Sequence, residues 1–123
     1  MADYIPLFKP GQAFTSTVAT TAVIGGRLVE VNGVATVGPA GAASVKFVGV
    51  AATDAAVGDK VTIHCGGVQR LTASTAVTAG DNLAVTATGK VAAIGAGTFG
   101  QLVGVALTSA AADGDLVEVL MSR

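Results

Sequence analysis

The chain has 123 residues, of which 51% are hydrophobic, only 4% are aromatic and 12% are charged. A chain of this length forms one domain with one core, and small side chains must build that core. The formal net charge of −1 and the scattered basic residues exclude a direct nucleic-acid ligand, because phosphate binding needs Lys and Arg gathered on one face.

The sequence has no segment that would direct the chain to a membrane or out of the cell. No apolar run approaches the ~20 residues of a membrane-spanning helix. The N-terminus lacks a basic stretch followed by an apolar run and a cleavage site. We therefore expect no membrane partner, and synthesis in a reducing cytoplasm.

Charged residues are about half as frequent as in an average soluble domain. An ordinary low-charge β domain would explain this deficit, and so would a surface that is largely covered by partners. We favour the covered surface.

The first residues differ from the rest of the chain. Residues 4–10 read Tyr-Ile-Pro-Leu-Phe-Lys-Pro and hold two of the three prolines and the only tyrosine. Proline blocks a helix and favours extended backbone. The pattern predicts an extended N-terminal arm over residues 1–14, before a β-rich domain over residues 15–123. The arm could fold back on its own domain or lie on a neighbouring chain, and its large apolar side chains favour the neighbour.

A hairpin is the clearest local prediction. Asn32-Gly33 separates two strand-like runs, residues 27–31 and 34–37. Asn-Gly in this setting predicts a two-residue turn in which both residues take positive φ. The predicted register gives the cross-strand pairs Val31–Val34 and Val29–Thr36.

Further short strands are predicted from alternating or continuous apolar residues. They cover residues 13–21, 45–50, 60–65, 68–72, 82–86, 90–94, 102–106 and 116–121. No segment has a sustained helical period, and the alanine-rich connectors are predicted as turns. Gly66-Gly67 turns the chain between two strands, where a two-residue loop would pair Ile63 with Arg70, although the pattern leaves this register open.

One segment occurs twice. Residues 47–63 and 102–119 both read as a strand containing Val-Gly-Val-Ala, a small-residue connector, a Gly-Asp turn and a second strand. A third Gly-Asp turn, Gly80-Asp81, launches another strand. Strands with turn signals at roughly ten-residue spacing predict a mainly β fold, a single small β-barrel or β-sandwich with pseudo-repeated hairpins.

The chemically reactive residues form no recognisable catalytic group. His64 and Cys65 are adjacent in a strand, so they point to opposite faces and cannot form a nucleophile pair with each other. His64 is expected at the surface or an interface, and Cys65 in the core. Residues 95–100 match G-x-G-x-x-G but precede a strand, whereas a dinucleotide site needs a helix there.

The aspartates lie in and beside turns, where Asp usually accepts hydrogen bonds from nearby backbone N–H groups. These residues are Asp54, Asp59, Asp81, Asp113 and Asp115. They lack the spacing of a calcium loop. We expect no catalytic residue, no metal and no cofactor.

The order and spacing of these motifs resemble a known family over essentially the whole chain. The resemblance rests on the Tyr-Ile-Pro-Leu-Phe-Lys-Pro-Gly arm, Gly-Gly-Arg-Leu-Val-Glu-Val, the two Val-Gly-Val-Ala copies, Ala-Thr-Gly-Lys-Val and the final Gly-Asp-Leu-Val-Glu-Val-Leu. The sequence looks like the capsid cement, or head decoration, proteins of tailed bacteriophages.

This resemblance implies a structural virion protein on the outer surface of the capsid, with the major capsid protein and copies of itself, as a homotrimer, as partners. It implies stabilised contacts between major capsid protein subunits. By position, the arm supplies the capsid-contact candidates Tyr4, Ile5, Pro6, Leu7, Phe8, Lys9 and Pro10. Another tail, fibre or surface β-module remains the alternative, and an enzyme would need His64 or a carboxylate pair in a cleft.

Overall fold

A computed structural model describes residues 4–5, 7, 13–18 and 21–123. The strands are β1 (Phe14–Val18), β2 (Leu28–Gly33), β3 (Thr36–Pro39), β4 (Phe47–Ala51), β5 (Lys60–His64), β6 (Val68–Thr72), β7 (Asn82–Val85), β8 (Val91–Ala93), β9 (Gly104–Ala106) and β10 (Leu116–Met121). One turn of 3-10 helix, Phe99–Gln101, precedes β9. The predicted mainly β fold is confirmed.

The strands form the same arrangement twice. In the first unit, β1 to β5, the strands close a barrel in the order β1-β3-β2-β4-β5, with β1 parallel to β3 and antiparallel to β5. In the second unit, β6 to β10, the sheet order is β6-β10-β9-β7-β8. A parallel bridge between Ala73, directly after β6, and Val91 in β8 joins the two edges of that sheet. Each strand of the first unit therefore has its counterpart five strands later, with the same neighbours.

The β1–β2 and β4–β5 connectors of the first unit have equivalents in the β6–β7 and β9–β10 connectors of the second. Val23 and Ala55 exchange two backbone hydrogen bonds in the first unit, and Val77 and Ala110 do the same in the second. Each connector ends in a turn closed by a hydrogen bond from the N–H after a glycine to the carbonyl three residues earlier. The four turn glycines, Gly26, Gly58, Gly80 and Gly114, have φ values of 80°, 89°, 96° and 92°. A type II turn requires this conformation at its third residue, and glycine adopts it without steric cost.

The buried side chains follow the duplication. Eight positions fill the inside of the first barrel, and each has a buried counterpart in the second unit. The pairs are Val18/Ala73, Val23/Val77, Val29/Leu83, Val37/Val91, Ala51/Ala106, Ala55/Ala110, Val61/Val117 and Ile63/Val119. Small residues recur because each five-stranded unit encloses little space.

The two units share one core at their junction. Leu28, Ala40, Phe47 and Val50 of the first unit belong to the buried cluster of the second. The Arg123 guanidinium lies 4.1 Å from the centre of the Phe47 ring and donates to the carbonyls of residues 45, 47 and 100. The cation and the ring attract each other, which ties the end of the second unit to β4.

The β2–β3 hairpin exists, but its predicted turn is wrong. The strands pair Val31 with Val37 and Gly33 with Thr36, with a bulge between these pairs. The turn residues are therefore Val34 and Ala35, and Ala35 has a φ of 55°. The register follows from β1, which pairs with β3 on its other side and fixes it independently of the turn.

The pairing of Ile63 with Arg70 across Gly66-Gly67 is not formed. Both glycines have positive φ, at 64° and 65°, and they lead the chain from one unit to the next. β6 instead pairs with β10, where Arg70 lies opposite Glu118.

Candidate interaction surface

The described residues of the N-terminal arm are highly exposed. Tyr4, Ile5 and Leu7 expose 88%, 82% and 93% of their surface. The other candidates in this segment, Pro6, Phe8, Lys9 and Pro10, lie outside the described residues. The structure thus presents three large apolar side chains of the arm to solvent, where a partner can reach them.

A second exposed apolar surface lies at the end of the first barrel where β1 begins. Val31 and Val34 expose 42% and 96% of their surface. Ser16 of β1 donates to the carbonyl of Ala35 at 2.9 Å, which holds the β2–β3 turn beside the first strand. We call Val31, Val34 and Ala35 the hairpin end of the first unit.

A third surface with exposed apolar side chains is one row on the outer side of the second sheet. Val68, Leu120, Val105 and Asn82 form one row of directly opposed residues across β6, β10, β9 and β7. Val68 and Leu120 expose 56% and 50% of their surface, and Val105 is half-buried. We call this row the sheet face of the second unit.

The two units differ at this outer surface. In β5 the outward residues are Lys60, Thr62 and His64, whereas Leu116 and Leu120 occupy the outer ends of β10 and remain exposed. Sequence analysis missed these two leucines as surface residues. The sequence contained the signal, because every residue of 116–121 except Glu118 is apolar. Since neighbouring residues of a strand point to opposite faces, this strand has apolar side chains on both faces.

Glu118 lies between these leucines in β10 and faces away from the core. Its carboxylate is 4.0 Å from the Arg70 guanidinium on β6; the Arg70 side chain is largely exposed and that of Glu118 about half exposed. The sheet face is therefore bordered by a neutral charge pair, which is weak in water.

His64 is exposed, as predicted. Cys65, predicted in the core, is only partly buried and packs against the core of the first barrel. The Cys65 thiol donates to the carbonyl of Val48 at 3.3 Å, and burial raises the pKa of this thiol. Catalytic cysteines need the opposite shift, toward the thiolate.

The aspartates mostly bind backbone, as expected for turn residues. Asp54 accepts from the N–H of Gly25 at 2.8 Å, Asp81 accepts from Thr78 at 3.0 Å, and Asp115 accepts from two N–H groups at 3.1 Å each. Within the described ranges, no group of three or more His, Cys, Asp or Glu is placed to hold a metal ion. Nor does this part of the chain contain a helix long and apolar enough to cross a membrane.

Asp113 makes the shortest ion pair among the described residues, at 2.9 Å from the Lys90 ammonium. The hydrogen bond and the charge of Lys90 lower the pKa of this carboxyl. The pair joins the β9–β10 connector to the residue before β8, so it links two segments of the second unit.

Comparison with known proteins identifies the fold and the family. A search of curated proteins found no match. Among solved structures, the chain is similar to the head fiber gp8.5 N base in bacteriophage phi29, with a TM-score of 0.70 and 24% sequence identity over 91% of this chain and 94% of that chain. At this identity the likeness shows the fold.

The family match covers most of both units. A profile described as phage cement protein matches residues 8–121, which excludes Tyr4, Ile5, Pro6 and Leu7 of the arm. The chain therefore belongs to the phage cement protein family, and it is a structural protein associated with the phage capsid.

Proposed function

We propose that this chain binds the outer surface of the assembled phage head as a homotrimer and stabilises contacts between neighbouring major capsid protein subunits. In this role it is a structural protein without catalytic activity, made in the host cytoplasm and carried on the virion. The observation that supports it most directly, beside the family, is the exposure of Tyr4, Ile5 and Leu7. Large apolar side chains that are nearly fully exposed in one chain mark a surface for a partner.

The energetics of the arm favour binding by an oligomer that presents several arms at once. Burying a large apolar side chain stabilises a complex by about 1.5–3 kcal/mol, but ordering each backbone residue costs about 1–2 kcal/mol. A single arm is thus close to balance. When one oligomer presents several arms, the later ones bind as if intramolecular, and the avidity rises without new contacts.

The test removes the apolar side chains of the arm. The triple variant Tyr4→Ala, Ile5→Ala and Leu7→Ala should bind expanded heads at least about 100-fold more weakly, since each tenfold loss corresponds to about 1.4 kcal/mol. Its urea unfolding curve should match that of the unmodified chain. Binding is measured by co-sedimentation with heads that lack the cement protein.

Val57→Ala is the matched control, because Val57 is an exposed apolar residue of a connector. It should bind heads as the unmodified chain does. Undiminished binding by the triple variant would contradict the role of the arm.

A fibre base is the second candidate function, and the fold shared with a head fiber base supports it. In that case the chain would carry a further protein on the head. Mass spectrometry of purified heads and tails separates a head protein from a tail protein. A fibre subunit that co-purifies with the chain from dissociated heads would favour the base.

A further inference from the structure

The junction between the two units shows how one unit covers another. Leu28 and Val50, directly opposed on β2 and β4, are fully buried by the second unit. The second unit covers them with the β7–β8 end, where Gly89 accepts from the N–H of Leu28 and Val85 accepts from the N–H of Ala43. Leu28 and Val50, on the outer side of the first unit, therefore rest on the β7–β8 turn of the second unit.

The duplication assigns a counterpart to each residue of this junction. On the sheet face, Asn82 and Val105 are opposed on β7 and β9 as Leu28 and Val50 are on β2 and β4. Asn82 is exposed and Val105 is half-buried, because nothing in the described part of the chain covers them. Leu120, which lies opposite Val105, is exposed, as is its counterpart His64 opposite Val50.

At the hairpin turns, it is the residue of the second unit that is buried and its counterpart in the first unit that is exposed. Val85 pairs with Val91 next to the β7–β8 turn, and Val31 pairs with Val37 next to the β2–β3 turn. Val85 is buried by the first unit, whereas its counterpart Val31 is exposed together with Val34. Among the described residues, one sheet face and one hairpin end are thus uncovered, and both carry exposed apolar side chains.

We propose that a second copy of this chain covers them by repeating the internal junction. The hairpin end of one copy, Val31 and Val34, seats on Val105 and Asn82 of the next copy, the counterparts of the buried Val50 and Leu28. The contact extends along the same row to Leu120 and Val68. The contact is head-to-tail, so each copy uses both surfaces and the copies close into a ring when the rotation permits. This rests on the self-association within the proposed function and names the surfaces that produce it.

The test uses one charged substitution on each surface. Sedimentation velocity of the full chain should show an oligomer, and Val34→Lys and Leu120→Lys should each weaken association at least tenfold. Circular dichroism confirms that each variant is folded, and Val68→Lys replaces Leu120→Lys if the latter is not. Val57→Lys, on an exposed connector valine, is the control and should associate as the unmodified chain does.

Mixing the two variants tests the head-to-tail geometry. Val34→Lys keeps an intact sheet face and Leu120→Lys keeps an intact hairpin end, so an equimolar mixture should form dimers of one copy of each. A mixture that stays monomeric would overturn the proposal. So would Val34→Lys associating normally while Leu120→Lys does not, because the sheet face would then pair with itself.

The unmodified chain separates this inference from the capsid role. A chain that remains monomeric in solution and still co-sediments with heads as a monomer would overturn the head-to-tail contact and leave capsid binding standing. An oligomer that depends on Val34 and Leu120 but does not bind heads would support the contact and contradict the capsid role.

Discussion

Gly49 and Gly104 occupy equivalent positions in β4 and β9, where each lies against the backbone of the next strand. A Cβ built on Gly49 would be 2.5 Å from the carbonyl oxygen of His64, and one built on Gly104 would be 2.2 Å from that of Leu120. Real Cβ atoms do not approach backbone so closely. The glycine of each Val-Gly-Val-Ala copy is therefore required by the close approach of the neighbouring strand.

Replacing Gly104 with alanine should destabilise the fold by about 2–3 kcal/mol, because backbone rather than a flexible side chain would have to move. Gly49→Ala should cost a similar amount. Urea unfolding followed by circular dichroism measures both.

Gly41 is the matched control for these glycines. The nearest atom to a Cβ at Gly41 is a Glu30 carboxylate oxygen at 4.0 Å, so Gly41→Ala should change the free energy of unfolding by no more than about 0.5 kcal/mol. Equal effects at Gly41 and Gly104 would show that the close approach does not set the cost.

Among the elements, the β2–β3 hairpin carries a local strain. Ala35 has a φ of 55°, a conformation that costs a residue with a side chain about 1–2 kcal/mol. β1 imposes it, because its pairing with β3 sets where β3 begins. A neighbouring strand thus overrides the preference of the Asn-Gly sequence.

Ala35→Gly should therefore stabilise the protein, by about 0.5–1 kcal/mol after the greater freedom of glycine in the unfolded chain is subtracted. The measurement is the midpoint of urea unfolding. Ala52→Gly, at an exposed connector residue without positive φ, should instead destabilise by a similar amount. If Ala35→Gly also destabilised the protein, the turn would not lie at Val34 and Ala35.

Sequence predicted the elements well where local chemistry decided them. Alternation in residues 60–65 and the repeat of residues 47–63 in 102–119 are local patterns, and both reappear in the structure. The equivalence of the β1–β2 and β6–β7 connectors was harder to recognise in the sequence. Gly26 is followed by Arg27 whereas Gly80 is followed by Asp81, so their common turn shows in the backbone and not in the residue types.

At the scale of the whole molecule, Phe47 couples the two units. It lies on a strand of the first unit and is fully buried in the core of the second. Removing its ring opens a cavity that both units line. The shared core implies that the units unfold in one transition.

Phe47→Ala should lower the free energy of unfolding by about 3–5 kcal/mol. Hydrogen exchange at Ile63 and Val119, one in each unit, should accelerate together. Phe99→Ala removes an aromatic ring that is exposed and should change stability by about 0.5 kcal/mol or less. Loss of protection at Ile63 alone would show that the units unfold independently.

The interaction surfaces were only partly predictable. The arm is contiguous in sequence, so Tyr4, Ile5 and Leu7 could be named from their residue types. The hairpin end and the sheet face bring together residues as distant as Val68 and Leu120, and their exposure depends on which unit covers which. Predicting which surface is covered requires the pairing register of all ten strands, which the sequence alone does not provide.

Because the two units are parts of one chain, their sequences can differ, which is impossible for identical subunits. In a dimer of two separate copies, every substitution is made twice and both outer surfaces change together. Here the two units are encoded independently, so one outer strand carries Lys60 and His64 while its counterpart carries Leu116 and Leu120. A single gene can thereby give one unit a polar outer strand and the other an apolar one without altering the shared arrangement of strands.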